Sequence, residues 1–305
     1  MKQQQLFLTM RDGQQVFVRI FEPEHPIGHM HILHGMGEHS GRYEEFAKLL
    51  CAQGYYVSLH DHRGHGYTAR GNYGHFADER GFHHVVLDVL EVLLYLRKTV
   101  TVPLTLFGHS MGSFIARRFI QLYSDQISAC IICGTGVTSA THLAGNQLAN
   151  TLAKAQGKQT ASPFMNRLSF GSFNKAFADT TTEFDWLSRD ADEVQKYIDD
   201  EMCGFIPSHQ FYADLTEGLL LVHRKEEMAR TRTDLPVLFI SGSHDPVGDF
   251  GKGVFKVAKR MTDVGMENVT VHLFEEMRHE ILNETNKQHV HDAVLRWLKH
   301  VENEL

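Results

Sequence analysis

Ser110 stands between two glycines in Gly108-His109-Ser110-Met111-Gly112, just after an apolar run and just before a helical pattern. A serine hydroxyl is a poor nucleophile near neutral pH. It needs a base within hydrogen-bond reach, an acid that orients the base, and donors for the oxyanion that develops on the attacked carbonyl. The G-x-S-x-G spacing between a strand and a helix is the context of a nucleophile elbow. Its turn is so tight that side chains two positions either side of the serine would strike backbone. The serine then sits at a helix start, where the dipole favours negative charge. The spacing alone also fits a tight turn around a structural serine.

The partners of such a serine follow it in the order acid, then histidine. Asp245 comes just after the apolar run PVLFISG, and His279 just after VTVHLFE. Asp245 precedes Pro246 and also reads as a turn or N-cap aspartate, and His279 is one of 21 histidines. The specific signal is three residue types in the required order, each beyond a different strand-like run. The oxyanion donors expected of this arrangement are backbone N–H groups. One is that of Met111, after the serine. The other is that of Met36, in His34-Gly35-Met36-Gly37-Glu38-His39, where Gly35 and Gly37 let the loop approach a carbonyl closely. Gly35 and His109 are therefore expected to border bound substrate.

These residues need a scaffold that brings strand ends together. Eight β-like runs are present, at 5–10, 14–22, 29–35, 55–61, 104–108, 127–134, 236–242 and 269–275. Arg11-Asp12-Gly13 marks a hairpin between the first two. The later runs are largely apolar on both faces, as in a covered parallel sheet. Helical patterns at 41–53, 78–99, 111–123, 251–265 and 285–301 alternate with them, which predicts an α/β sheet entered by an antiparallel hairpin. The alternation fails between about 136 and 215, where helix-like patches and aromatics replace strands. A structureless loop of that length is improbable. We read 1–135 and 216–305 as an α/β core and 136–215 as a helical cap over the strand ends. Phe164, Met165, Phe170, Phe173, Phe177 and Trp186 are expected to roof an apolar tunnel over Ser110, with Phe164 and Trp186 against the substrate.

The 305 residues suffice for one large domain with an insertion. A formal net charge of -7, with no basic run, argues against nucleic acid. The first residues lack the apolar core of a secretion signal, and no run of about 18 apolar residues could cross a bilayer. Cys130 and Cys133 have C-x-x-C spacing inside an apolar run, which reads as a buried strand rather than a redox helix start. The cysteine usage is compatible with a reducing cytoplasm, where the protein is expected. His60, His62 and His65 carry part of a metallohydrolase spacing, but Gly64 falls where the acidic ligand belongs. No metal and no cofactor are expected. Asp61 and Arg63 are instead expected in polar contacts that position their loop beside the oxyanion turn.

His34 to Tyr43 (HGMGEHSGRY), Asp61 to Gly66 (DHRGHG) and Gly108 to Gly112 (GHSMG) resemble the signatures of monoacylglycerol lipases and bacterial lysophospholipases, serine hydrolases of the α/β-hydrolase fold. Phe184 to Asp190 (FDWLSRD) is similar to bacterial members of the group. The resemblance implies an eight-stranded, mostly parallel sheet flanked by helices, a cap, and small-molecule ester substrates with an acyl chain. Two positions depart from it: Met36 and Ser113 stand where smaller residues are common. The expected activity is hydrolysis of monoacylglycerol-like or lysophospholipid-like esters through an acyl-enzyme on Ser110, with Asp245 and His279 as partners. The cap aromatics offer transient contact with lipid surfaces. The alternatives are a peptidase or amidase of the same superfamily, a metal-dependent hydrolase, and a non-catalytic binding module.

Overall fold

The computed structural model describes residues 1–304. The apolar runs become eight strands: β1 (Lys2–Thr9), β2 (Gln15–Glu22), β3 (Gly28–Leu33), β4 (Tyr55–His60), β5 (Leu104–His109), β6 (Ala129–Cys133), β7 (Val237–Gly242) and β8 (Val269–Phe274). They form one sheet in the order β1-β2-β4-β3-β5-β6-β7-β8. β2 is antiparallel to β1 and β4, and the other pairs are parallel. β1 starts three residues before its apolar run, because pairing continues to Lys2 opposite Glu22. Burial follows position in the sheet. β3, β4, β5, β6 and β7 are buried along their whole length, whereas the edge strands β1 and β8 keep residues in solvent.

The described residues form eleven α-helices: α1 (Glu44–Ala52), α2 (Gly66–Ala69), α3 (Gly81–Leu96), α4 (Met111–Tyr123), α5 (Ala140–Gln156), α6 (Pro163–Phe170), α7 (Ala191–Asp199), α8 (His209–Val222), α9 (Lys225–Met228), α10 (Lys252–Asp263) and α11 (Lys287–Glu304). On one face, Leu106, Ile132 and Phe239 pack with residues of α3, α4, α8 and α10. On the other, Phe107, Ile131 and Ile240 pack with α1 and α11. Each such side chain contributes about 1.5–3 kcal/mol by leaving water. Alternation along β6 puts Cys130 in the first core and Cys133 in the second, so the two thiols face apart and all four cysteines are free. The C-x-x-C spacing is therefore a strand pattern.

Between β6 and β7 the chain is helical, from α5 to α9. α5 packs along α8, which packs in turn on α3 and α4. Residue 215 lies inside α8, so that helix belongs to the insertion by sequence and to the main core by packing. No helix among the described residues is long and apolar enough to cross a membrane. Strand order reverses at β3, which lies between β4 and β5. In open α/β sheets such a switch point opens a crevice at the carboxyl ends of the strands.

Candidate active site

At the carboxyl end of β5, Ser110 adopts φ 52°, ψ -117°, a strained conformation for a residue with a Cβ. Its N–H is held by Cys133 O at 2.9 Å. A Cβ on Gly108 would lie 2.3 Å from Gly112 O, and one on Gly112 would lie 2.2 Å from Leu33 O. The two glycines let β5, α4 and β3 approach closely enough to make the turn. Ser113, one of the departures noted above, is buried and donates its hydroxyl to Ser110 O at 2.6 Å.

The loop after β7 brings Asp245 to the same end of the sheet, and the loop after β8 brings His279. His279 Nδ1 lies 2.9 Å from Asp245 Oδ1. A carboxylate only accepts, so Nδ1 carries the ring proton and Nε2 is left as a base. Val247 N–H also donates to Asp245 Oδ1, at 2.9 Å, and Ser241 Oγ donates to Oδ2 at 3.1 Å. Asp245 is thus both a turn residue and the partner of His279. Burial opposes charge on both groups. Each nevertheless favours its charged form, because they face one another: Asp245 is held below the usual carboxylate range and His279 above the usual imidazole value. The ring of His109 lies 4.7 Å from that of His279, and burial pushes its own pKa down to about 3, so it stays neutral. Among the described residues no hydrogen bond joins Ser110 Oγ to His279.

After β3, the loop at Gly35 passes so near the elbow that a Cβ there would lie 3.2 Å from Ser110 Cβ. Gly35 N–H donates to Glu38 Oε1 at 2.5 Å. His34 Nε2 accepts from His62 N–H at 2.9 Å, so Nδ1 carries the proton and donates to Gly35 O at 2.7 Å. The Gly35–Met36 peptide is therefore held by its carbonyl, and its N–H side is left for another acceptor. Among the described residues neither Met36 N–H nor Met111 N–H has a protein acceptor.

Around this loop lie features that sequence reasoning missed. Glu38, Arg42 and Glu280 form a buried cluster in which Arg42 pairs bidentately with Glu280 and Tyr43 donates to Glu38 at 2.7 Å. Burial raises Glu38, whereas Arg42 outweighs burial at Glu280 and holds it low. Glu38 and Arg42 share a helical spacing, and Glu280 adjoins His279, but nothing in their sequence says they are buried together. The histidines near position 60 are joined to one another. His29 Nε2 and His31 Nδ1 meet at Ser58 Oγ (2.6 and 2.7 Å), His31 Nε2 meets His60 Nδ1 at 3.0 Å, and His60 Nε2 meets His62 Nδ1 at 3.1 Å. Asp61 accepts from Ser40 N–H and Tyr67 N–H, and Arg63 pairs with Asp88 and Asp12. The loop at 61–67 is therefore fastened beside the loop that follows β3.

The insertion reaches the site through Trp186. Its ring lies 5.1 Å from that of His279, its carbonyl accepts from His279 N–H at 3.4 Å, and Leu187 O accepts from Glu280 N–H at 2.7 Å. Phe170, Phe173 and Phe177 gather with Trp186, Tyr197 and Val247, while Met165 packs into the main core. Phe164 stands apart from both, 60% exposed on α6. A cavity of about 450 Å³, lined by Phe177, Asp179, His244, Phe250 and Arg278 among others, flanks the loops of Asp245 and His279. Ser110 does not line it, so it is not the expected tunnel.

The family model Hydrolase_4, described as serine aminopeptidase S33, matches residues 24–286. Human monoglyceride lipase is 31% identical over 251 residues, covering 81% of this chain and 75% of that protein. Monoacylglycerol lipase of Mycolicibacterium smegmatis is 26% identical over 293 residues, covering 94% and 93%. Among solved structures, a thermostable carboxyl esterase from Bacillus coagulans in complex with glycerol superposes with a TM-score of 0.93 at 26% identity, covering 99% of both chains.

Proposed function

We propose, from the premise that the chain belongs to the Hydrolase_4 (serine aminopeptidase S33) family of α/β-hydrolases, that it is a serine hydrolase of monoacylglycerol-like or lysophospholipid-like esters. The observation that carries the reading is the Asp245–His279 pair at 2.9 Å, delivered to the strand ends where Ser110 is held in its strained turn. Ser110 attacks the ester carbonyl and His279 Nε2 takes its proton. Asp245 keeps the ring proton on Nδ1 and stabilises the imidazolium. The N–H groups of Met36 and Met111 receive the oxyanion. His279 returns the proton to the leaving alcohol, and water, activated by the same imidazole, frees the acyl group from Ser110.

The names of the relatives support the acyl-ester class. Residues 136–215 act in this reading as a cap, with Trp186 against the catalytic imidazole. Phe164 and Leu168, 60% and 59% exposed on α6, and Leu143, 52% exposed on α5, support transient contact with a lipid surface. The four free cysteines support a cytoplasmic setting.

The test is a kcat/KM series over monoacylglycerols, lysophospholipids, p-nitrophenyl esters and aminoacyl amides, with fluorophosphonate labelling of the nucleophile. Esters should lead, EDTA should leave the rate intact, and the label should fall on Ser110. Ser110→Ala should lower kcat by on the order of a million-fold, because the triad acts as a unit. Near-normal hydrolysis by folded Ser110→Ala would refute the assignment, and amides hydrolysed faster than esters would make the protein a peptidase.

A further inference from the structure

Against the loop that carries Met36, three metal-ligating side chains meet. His39 Nε2 lies 2.8 Å from Asp200 Oδ2, and the ligand atoms of His39, Asp200 and Cys203 all fall within 4.8 Å of one another. His39 follows β3. Asp200 and Cys203 share a turn after α7, closed by Cys203 N–H donating to Asp200 O at 2.9 Å. We infer that His39, Asp200 and Cys203 form a Zn²⁺ site that bridges the oxyanion loop and the insertion and slows hydrolysis when filled. The inhibitory half of the inference rests on reading residues 34–37 as the oxyanion loop. The ion would be a regulator, not a participant in the reaction.

An imidazole nitrogen, a carboxylate oxygen and a thiolate sulfur suit Zn²⁺, with water in the fourth position. Bonds of about 2.0–2.3 Å set tetrahedral ligand atoms roughly 3.3–3.7 Å apart, so the thiol must approach by up to about an ångström while the His39–Asp200 contact opens by about half of one. Asp200 and Cys203 are only partly buried on their turn and have room to do so. Asp200 Oδ1 already accepts from Met202 N–H at 2.9 Å, the kind of outer contact that orients a carboxylate ligand.

The proton count can be written out. An ordinary cysteine thiol titrates at about 8.5, so near neutral pH Cys203 carries its proton without metal. His39 Nδ1 accepts from Gly41 N–H at 3.1 Å, which places the ring proton on Nε2, shared with Asp200. Zn²⁺ binding forms Zn–S, Zn–N and Zn–O bonds, breaks the S–H bond and moves the ring proton from Nε2 to Nδ1. One proton is released to solvent, and Gly41 N–H loses its acceptor. That contact caps the turn Ser40–Tyr43, and Gly204 N–H, next to Cys203, holds Gly37 O at 2.9 Å. Filling the site therefore strains both ends of the segment that follows Met36.

Co²⁺ serves as the spectroscopic probe. CoCl₂ should give the full-length protein a thiolate-to-cobalt charge-transfer band that Cys203→Ser abolishes. Calorimetry with ZnCl₂ in buffers of different ionisation enthalpy should report one proton released per ion. Zn²⁺ should slow p-nitrophenyl butyrate hydrolysis, and EDTA should restore it. Cys203→Ser and Asp200→Asn should keep the metal-free rate and need roughly tenfold or more Zn²⁺ for the same inhibition. Absence of the band in the unmodified protein, or Zn²⁺ inhibition unchanged in both variants, overturns the site. A cobalt band with undiminished hydrolysis overturns the coupling to the loop. The band requires no turnover, so it stands or falls independently of the ester-hydrolase reading, which fluorophosphonate labelling of Ser110 decides.

Discussion

His279 Nδ1 sits 2.9 Å from Asp245 Oδ1, with side chains 2% and 0% exposed. Burial disfavours the imidazolium, but the carboxylate outweighs it and raises the His279 pKa. Only the neutral imidazole acts as base, so activity rises as pH passes that pKa. The acid limb of kcat/KM should therefore have its midpoint above the ordinary imidazole value of about 6.5. Asp245→Asn removes the carboxylate, so the limb should move to lower pH while kcat falls on the order of ten-thousand-fold. Rate–pH profiles of the two proteins decide this. An acid limb left in place by Asp245→Asn would remove Asp245 from its role.

Gly112→Ala and Gly145→Ala should have opposite signs. The first adds a Cβ 2.2 Å from Leu33 O and 2.7 Å from His34 O, so α4 must withdraw from β3. We expect a loss of roughly 1–3 kcal/mol in urea denaturation, together with a large fall in kcat as the elbow leaves the oxyanion loop. The second meets nothing within 4 Å inside α5 and should gain about 0.5–1 kcal/mol with activity unchanged. Equal stability of the two variants would contradict the packing described for the elbow.

Acid should unfold this protein steeply. Burial pushes His29 and His60 down to about 3, His65 to about 4, and His31, His34 and His62 well below the usual imidazole value. The unfolded chain titrates at about 6.5, so below that pH it binds protons the folded chain refuses. The stability these groups contribute is fully present above 6.5 and is lost as pH falls towards their folded pKa values. Each costs about 1.36 kcal/mol per pH unit, and six together roughly 8. Against a total stability of about 5–15 kcal/mol, that places unfolding within one to two units below pH 6.5. Circular dichroism against pH tests it, and His60→Gln, which removes one titrating group, should make the transition shallower. Stability independent of pH between 7 and 5 would refute the account.

Trp186 packs on the His279 ring and holds the main chain of that loop. Trp186→Ala should lower kcat/KM for long-chain monoacylglycerols more than for p-nitrophenyl acetate. The acyl chain loses about 0.8 kcal/mol for each methylene that no longer finds a wall. Equal losses for both substrates would make Trp186 a support of His279 alone, without a share in chain binding.

The sequence by itself determined the scaffold and singled out three candidate reacting groups. Strands buried on both faces are largely apolar, so β3 to β7 were legible to within two residues at each end, and helix α4 began and ended where its 3.6-residue period did. Ser110, Asp245 and His279 were legible because each follows a strand, and strand ends are where this topology gathers function. The tertiary structure alone decided which charged side chains lie inside. Glu38, Arg42 and Glu280 look like surface residues in their own segments and are buried only because the loops after β3 and β8 leave the sheet at the same, carboxyl end. The same holds for the fate of the aromatics. Phe164 and Trp186 are both large apolar residues of the insertion, yet one stands 60% exposed and the other lies against the His279 imidazole. Periodicity reports which residues share the face of one element. It carries no information on which faces of distant elements meet, and that meeting joins His39 to Asp200 across 161 residues.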